Sequence, residues 1–248
     1  MLKEIIKKLL FKEKASSDTY IQYLRKQGMI IGDDCTIYSP RRTIIDEQYP
    51  WLISIGNHVR ITEGVILLTH DYSWSVLKNI ETIKGKGSIL GAAGKIEIGN
   101  NVFIGMNAII LRGTKIGNNV IIGAGSVVSK NCESDWVYAG NPARKIMPIN
   151  DFYTKREKCQ IEEAKVLAVN YFERFNKIPP KEIFHEFFML FENNEPQNNV
   201  FIDKMKLSGN FEESLKYLKD NKAYFKNYDE FIEYCLNEEV SYVNKKEN

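Results

Sequence analysis

A chain of 248 residues suffices for one or two domains, and 44% hydrophobic against 27% charged residues is the balance of a soluble globular protein. Lysine and arginine number 34 against 32 acidic residues, which excludes a general electrostatic field for nucleic acid. No apolar run reaches the length of a membrane span, and Cys35, Cys132, Cys159 and Cys235 lie far apart without a C-x-x-C pair, the pattern of reduced thiols in a cytoplasmic protein.

Residues 1–27 read as helical, with Leu2, Ile5, Ile6 and Leu9 on one face and Gly28 ending the segment. Lys7 and Lys8 interrupt the apolar stretch, so it is not a signal peptide. Such a face packs on its own protein or lies on a membrane surface. A six-residue frame follows: Ile31, Ile37, Thr43, Tyr49, Ile55, Ile61 and Leu67, with Gly32 and Gly56 in the second position. Thr43 and Tyr49 are poor core residues, so the first coils are expected to be distorted. From Leu67 to Ile98 the register slips by one, which makes 71–95 an inserted loop, and long loops in compact repeats are commonly functional.

The frame is regular from Ile98 to Cys132. Ile98, Ile104, Ile110, Ile116, Ile122 and Val128 recur every six residues, and Gly99, Gly105, Gly117 and Gly123 follow four of them. Four positions on from each comes Val102, Ala108, Thr114, Val120, Ser126 or Cys132. Each unit is one short strand plus a turn, and three units make a triangular coil. The aliphatic points inward onto its counterpart one coil away, and the smaller residue fills a corner with little room. Stacked coils share a continuous core that no single coil could bury. D-W-V-Y-A-G-N-P-A-R-K-I closes the stack, since Pro142 does not suit a central strand.

Beyond Pro148 glycine almost disappears and the apolar spacing becomes helical. Ile161, Ala164, Lys165 and Ala168 predict one helix, and Phe184, Phe187, Phe188 and Phe191 an aromatic second. Phe211 to Leu218 and Phe231 to Leu236 predict two more. The organisation expected is therefore a mainly β protein: an N-terminal helical segment (1–27), a parallel β-helix (28–150) and a helical appendage (151–248).

The repeat, with A-G-N-P-A-R at Ala139 to Arg144, resembles the hexapeptide-repeat acyltransferases. The resemblance implies a left-handed coil, usually a homotrimer; the general preference for right-handed crossovers argues the other way. L-L-T-H-D-Y and the following W-S-V-L-K, at Leu67 to Lys78, are similar to O-acetyltransferases of bacterial surface-polysaccharide clusters. The resemblance covers roughly residues 30–148.

His70 is the main chemical candidate. It stands at a coil corner where the long loop begins, and imidazole suits a general base near neutral pH. The resemblance implies that it takes the proton of a sugar hydroxyl as the oxygen attacks the thioester of acetyl-CoA. Asp46, Glu63 and Asp71 are candidates to hold its other ring nitrogen, Asp46 from the coil below. The resemblance also implies a cofactor groove between subunits, lined by Gly105, Ala124, Gly125 and Ala139, with Arg144 and Lys145 as phosphate partners. Small residues there equally serve plain repeat geometry. Trp51, Tyr72 and Trp74 flank His70 and offer flat faces to a sugar, with Glu63 a further candidate contact. Asn107 reads as a turn residue, His58 and His185 as surface or packing residues. With only three histidines in the chain, the zinc site of the gamma-class carbonic anhydrases is not expected, nor any other metal.

Two other functions fit the pattern. An N-acetyltransferase on an amino sugar nucleotide would need His70 less, because an unprotonated amine requires less help from a base. A trimeric scaffold would use the helical segments to recruit an assembly protein.

Overall fold

Strands of two or three residues alternate with turns through the first part of the chain, and they stack in register. The computed structural model describes residues 9–81, 86–207 and 209–244, and the chain divides into two compact units, Met1–Tyr153 and Thr154–Asn248. The apolar face expected at Leu2, Ile5 and Ile6 lies outside the described residues. Helix α1 (Ser17–Lys26) starts where Ser16 and Thr19 cap each other reciprocally, and it buries Tyr20, Ile21 and Leu24. Gly28, at φ +106°, turns the chain out of the helix and into the coil.

The first coil holds β1 (Ile30–Ile31), β2 (Thr36–Ile37) and β3 (Ile44–Ile45); the second holds β4 (Ile53–Ile55), β5 (Val59–Ile61) and β6 (Ile66–Leu67). The third holds β7 (Ile96–Ile98), β8 (Val102–Ile104) and β9 (Ile109–Ile110), and the fourth β10 (Thr114–Ile116), β11 (Val120–Ile122) and β12 (Val127–Val128). Every third strand pairs in parallel, giving sheets β1-β4-β7-β10, β2-β5-β8-β11 and β3-β6-β9-β12. Strand β13 (Trp136–Ala139) adds to the second sheet beside β11, and β14 (Arg144–Pro148) folds back antiparallel on it. The stack is a three-sided parallel β-helix.

Burial follows the six-residue frame. Ile98, Ile104, Ile110, Ile116, Ile122 and Val128 are buried, as are Val102, Ala108, Thr114, Val120, Ser126 and Cys132. The turn from first to second sheet carries a ladder of left-handed residues, Asp34, His58, Asn101, Asn119 and Asp135, all at positive φ. Asn101 donates to Asn119 at 2.9 Å and Asn119 to Asp135 at 2.8 Å, while His58 pairs with Asp34. His58 is therefore a rung of a structural ladder, since short polar side chains tolerate this conformation.

The first coil corrects the frame expected for it. Ile45, not Thr43, pairs with Leu67, and Tyr49 stands outside the core. Ile31 and Ile55 are in register 24 residues apart, whereas Ile98 and Ile116 are in register 18 apart. Two extra residues sit before β3 and four after it, so the excursion adds up to one whole unit and the frame resumes unbroken. The extra four lie around a short 3₁₀ turn, Pro50–Leu52. Thr43 is buried nonetheless, its hydroxyl donating to the Ser39 carbonyl at 2.9 Å.

The loop between β6 and β7 leaves through a narrow neck, where His70 and Ala93 form an antiparallel bridge and Gly94 N–H donates to the Thr69 carbonyl at 2.8 Å.

The second unit carries most of α2 (Ile149–Phe175), then α3 (Asn199–Leu207), α4 (Phe211–Asp220) and α5 (Tyr228–Asn244). Ala164, Ala168, Phe184, Phe188, Phe191, Phe201 and Phe231 share its own core. Helix α3 was not legible in the sequence. Phe184 to Phe191 do not form the expected α-helix but two 3₁₀ turns, Lys181–Phe184 and Phe188–Leu190. Aromatic residues give a helix little intrinsic support, and here ring packing decides: Phe184 meets Phe231 edge-on at 4.9 Å and Phe188 stacks on Phe201 at 4.9 Å. No described helix is long and apolar enough to cross a membrane.

Candidate active site

His70 stands at the corner between third and first sheets, two residues beyond the end of the β6 pairing at Leu68. Its Nδ1 lies 2.5 Å from Oδ2 of Asp46. Asp46 comes from the coil below, directly after Ile45, and its own N–H donates to the Leu67 carbonyl at 3.0 Å. The strand register thus sets Asp46 under the corner from which His70 projects.

Asp46 is buried, and its oxygens are filled. Oδ2 accepts from the Thr69 N–H at 3.0 Å and from the Thr69 hydroxyl, and Oδ1 accepts from the Gln48 N–H at 2.9 Å. Burial acts to raise this carboxyl, but bonds from the Thr69 hydroxyl, Gln48, His70 and the Thr69 N–H outweigh it and hold the group below its ordinary range. An ionised carboxylate only accepts, so in the neutral ring His70 Nδ1 carries the proton and the lone pair lies on Nε2. That is the tautomer a general base requires.

Aromatic rings flank the imidazole on both sides. Tyr49 and Tyr72 each meet it edge-on with centroids 5.6 Å apart. Trp51 extends the row beyond Tyr49 at 5.8 Å, and Trp74 extends it beyond Tyr72 at 6.2 Å. Trp51 is 64% exposed and Tyr72 61%, so both present faces to solvent. Sequence reasoning placed Tyr49 in the core frame; it reaches His70 because the extra residues of the first coil bulge toward this corner.

Asp71 does not hold His70. It accepts from Arg112 Nε at 2.6 Å and from the Ser73 N–H at 3.0 Å, and the Ser73 hydroxyl, Arg112 and that N–H keep its carboxyl far below the usual range. Glu63 is on the corner between second and third sheets, bound to Arg42 at 2.5 Å and to the Ser39 hydroxyl at 2.9 Å, away from His70. A cleft beside the imidazole is lined by Leu68, His70, Asp71, Leu111, Arg112 and Ser129. Arg112 was missed. Because Leu67 pairs with Ile110, it occupies the position above Thr69, and laying the coils in register would have found it.

The residues expected at a cofactor groove lie elsewhere on the prism. Gly105, Ala124 and Gly125 form the turns between second and third sheets, and Ala139 stacks over Gly123 at the same corner. A Cβ on Gly105 would come 2.5 Å from the Ala124 nitrogen, so that glycine serves coil stacking. Gly125, by contrast, has open space beside it and φ +67°. Asn107 takes positive φ at this corner as a turn residue. Arg144 is exposed and among the described residues donates only to the Ala143 carbonyl at 3.0 Å, whereas Lys145 binds Glu133 at 2.7 Å and lies over the Trp136 ring. Within one chain this corner and the His70 corner are separate.

Among the described residues no group of three or more His, Cys, Asp or Glu could hold a metal ion. Burial pushes the thiols of Cys132 and Cys235 up to about 11, so neither offers a thiolate near neutral pH. The four cysteines are unpaired.

A three-sided parallel coil with a six-residue period defines a hexapeptide-repeat protein, and comparison with known proteins agrees. Residues 95–130 match the family model described as bacterial transferase hexapeptide (six repeats). Protein CapG of Staphylococcus aureus is 40% identical over 185 residues, spanning 71% of this chain and 100% of that protein. The chain belongs to the hexapeptide-repeat acyltransferase family, whose coil is left-handed. Among solved structures, the galactoside acetyltransferase in complex with coenzyme A is 25% identical, with a TM-score of 0.42 over 62% of this chain and 82% of that one. The polySia specific acetyltransferase NeuO is 26% identical, with a TM-score of 0.34 over 48% of each chain.

Proposed function

We propose that this protein transfers acetyl from acetyl-CoA to a hydroxyl of a sugar in bacterial surface-polysaccharide assembly, with His70 as general base. The observation that carries the reading is the buried Asp46 bonded to His70 Nδ1, while Nε2 has no hydrogen-bond partner among the described residues and the ring lines a cleft. Nε2 takes the proton of the acceptor hydroxyl as its oxygen bonds to the thioester carbonyl carbon. The C–S bond then breaks, and the departing thiolate recovers a proton from the imidazolium. Asp46 stabilises that imidazolium while it exists and fixes the ring plane. Trp51, Tyr72 and Trp74 offer apolar faces to the sugar ring, as flat aromatic groups suit its C–H faces.

The corner at Gly105, Ala124, Gly125 and Ala139 fits a thin pantetheine arm. Its exposed residues Ala124 and Gly125 are small, and a Cβ on Gly125 would meet nothing within 4 Å. Arg144, with most of its guanidinium uncommitted among the described residues, would meet the phosphates, and Lys145 would do so only by leaving Glu133. Since these residues and His70 occupy different corners of one chain, a neighbouring subunit would bring them together, and we read the active form as a homotrimer working in the cytoplasm. The helical unit then offers a surface for the acceptor or an assembly protein.

The test is CoA thiol release from acetyl-CoA with pooled oligosaccharides, glycosides and sugar nucleotides, followed by mass spectrometry of the acceptors. Acceptor-dependent release, one acetyl gained, and a fall of about 10²-fold or more in His70→Ala support the reading. Equal rates in both proteins would remove His70 from the mechanism and favour an amine acceptor.

A further inference from the structure

Arg112 belongs to none of the roles assigned above, yet it lines the same cleft as His70. Its Nε–H donates to Asp71 Oδ2 at 2.6 Å. The other Asp71 oxygen accepts from the Ser73 N–H at 3.0 Å and the Ser73 hydroxyl at 2.5 Å. Both carboxylate oxygens are thereby committed, and the guanidinium is held by one edge nitrogen. Its two terminal nitrogens donate to nothing among the described residues, and the side chain is 42% exposed. A planar fork fixed in this way presents two parallel N–H donors, the arrangement that grips a carboxylate in two places.

We propose that Arg112 binds a carboxylate on the sugar acceptor, so that the preferred substrate is an acidic sugar such as a hexuronic acid residue. This rests on the acetyl-transfer reading above. The acceptor hydroxyl has to reach His70 Nε2, and Arg112 lines the cleft into which that hydroxyl would come. The cofactor phosphates also carry the chemistry a guanidinium recognises, but it is the thioester that has to reach His70, and the phosphates lie at the far end of the pantetheine arm from it. Asp71 and Ser73 act as positioning residues: they hold the fork without touching the substrate.

The experiment compares kcat/KM for two glycosides that differ only at C6, one a hexuronate and the other its methyl ester, with wild type, Arg112→Gln and Arg112→Lys. The dissociation constant of acetyl-CoA is measured for each protein. The wild type is expected to prefer the hexuronate by about tenfold or more, and Arg112→Gln to bring that ratio close to one through acceptor KM. Arg112→Lys, a charge without the fork, is expected to fall between them. Equal use of both glycosides by the wild type would overturn the proposal while leaving acetyl transfer intact. So would a ratio unchanged in Arg112→Gln, as for a mere loop anchor, or a defect confined to acetyl-CoA binding. No transfer to any sugar would instead overturn the acetyl-transfer reading on which the proposal stands.

Discussion

Asp46 and His70 are 24 residues apart in sequence and 2.5 Å apart in space, because Ile45 and Leu67 are register partners in adjacent coils. The corner following β3 therefore lies beneath the corner following β6. Without the two residues inserted before β3, the same strand would present a different residue under His70. The irregularity of the first coil positions the site.

Asp46→Asn tests that arrangement. An amide fills the same space, but it can offer an N–H to the imidazole and so favour the wrong tautomer. We expect kcat to fall about 10²-fold or more, with acceptor KM changing little. A rate within a few fold of wild type would show that His70 needs no carboxylate to orient it.

Acid stability should carry the same mark. A carboxyl whose folded pKa is depressed favours the fold above its unfolded value, near 4 for Asp, and that contribution is lost as pH falls through the folded value. Urea midpoints of wild type and Asp46→Asn should therefore differ more at pH 6 than at pH 3. A gap that stays constant across this range would mean Asp46 titrates alike in folded and unfolded chains.

How much of this was legible in sequence varies with the physics. The stack from Ile98 to Cys132 was plain because each inward position must match its neighbour one coil away. The displaced frame at Thr43 and Tyr49 was hidden, since two short insertions together restored the period. Candidates Asp46 and His70 could be named from position and residue type, but Tyr49 and Arg112 could not. Their places depend on the bulge of one coil and on register across the loop insertion, neither of which a local pattern records. The aromatic run Phe184 to Phe191 had helical spacing and still formed 3₁₀ turns, because packing outweighed a weak local preference.

The aromatic row makes its own prediction. Trp51 and Tyr72 are exposed, so truncating them removes little core. Trp51→Ala and Tyr72→Ala should each raise acceptor KM about threefold to tenfold, with thermal midpoints almost unchanged. Trp51→Ala with unaltered KM would confine the acceptor to the Tyr72 side of His70.

The last prediction separates stacking from ligand contact at the second corner. Gly105 is buried, its N–H donates to the Ile122 carbonyl at 2.8 Å, and an added Cβ would lie 2.5 Å from the Ala124 nitrogen. The three nearest atoms are all backbone, from Ile122, Gly123 and Ala124 of the neighbouring coil, so no flexible side chain can yield and Gly105→Ala must push the two coils apart. We expect a loss of about 1–3 kcal/mol in denaturant unfolding. Gly91→Ala is the control, because a Cβ there meets nothing within 4 Å and the backbone is not left-handed; it should stay within about 0.5 kcal/mol of wild type. Should Gly105→Ala prove as stable as the control while weakening acetyl-CoA binding, the glycine would be there for the cofactor and not for the coil.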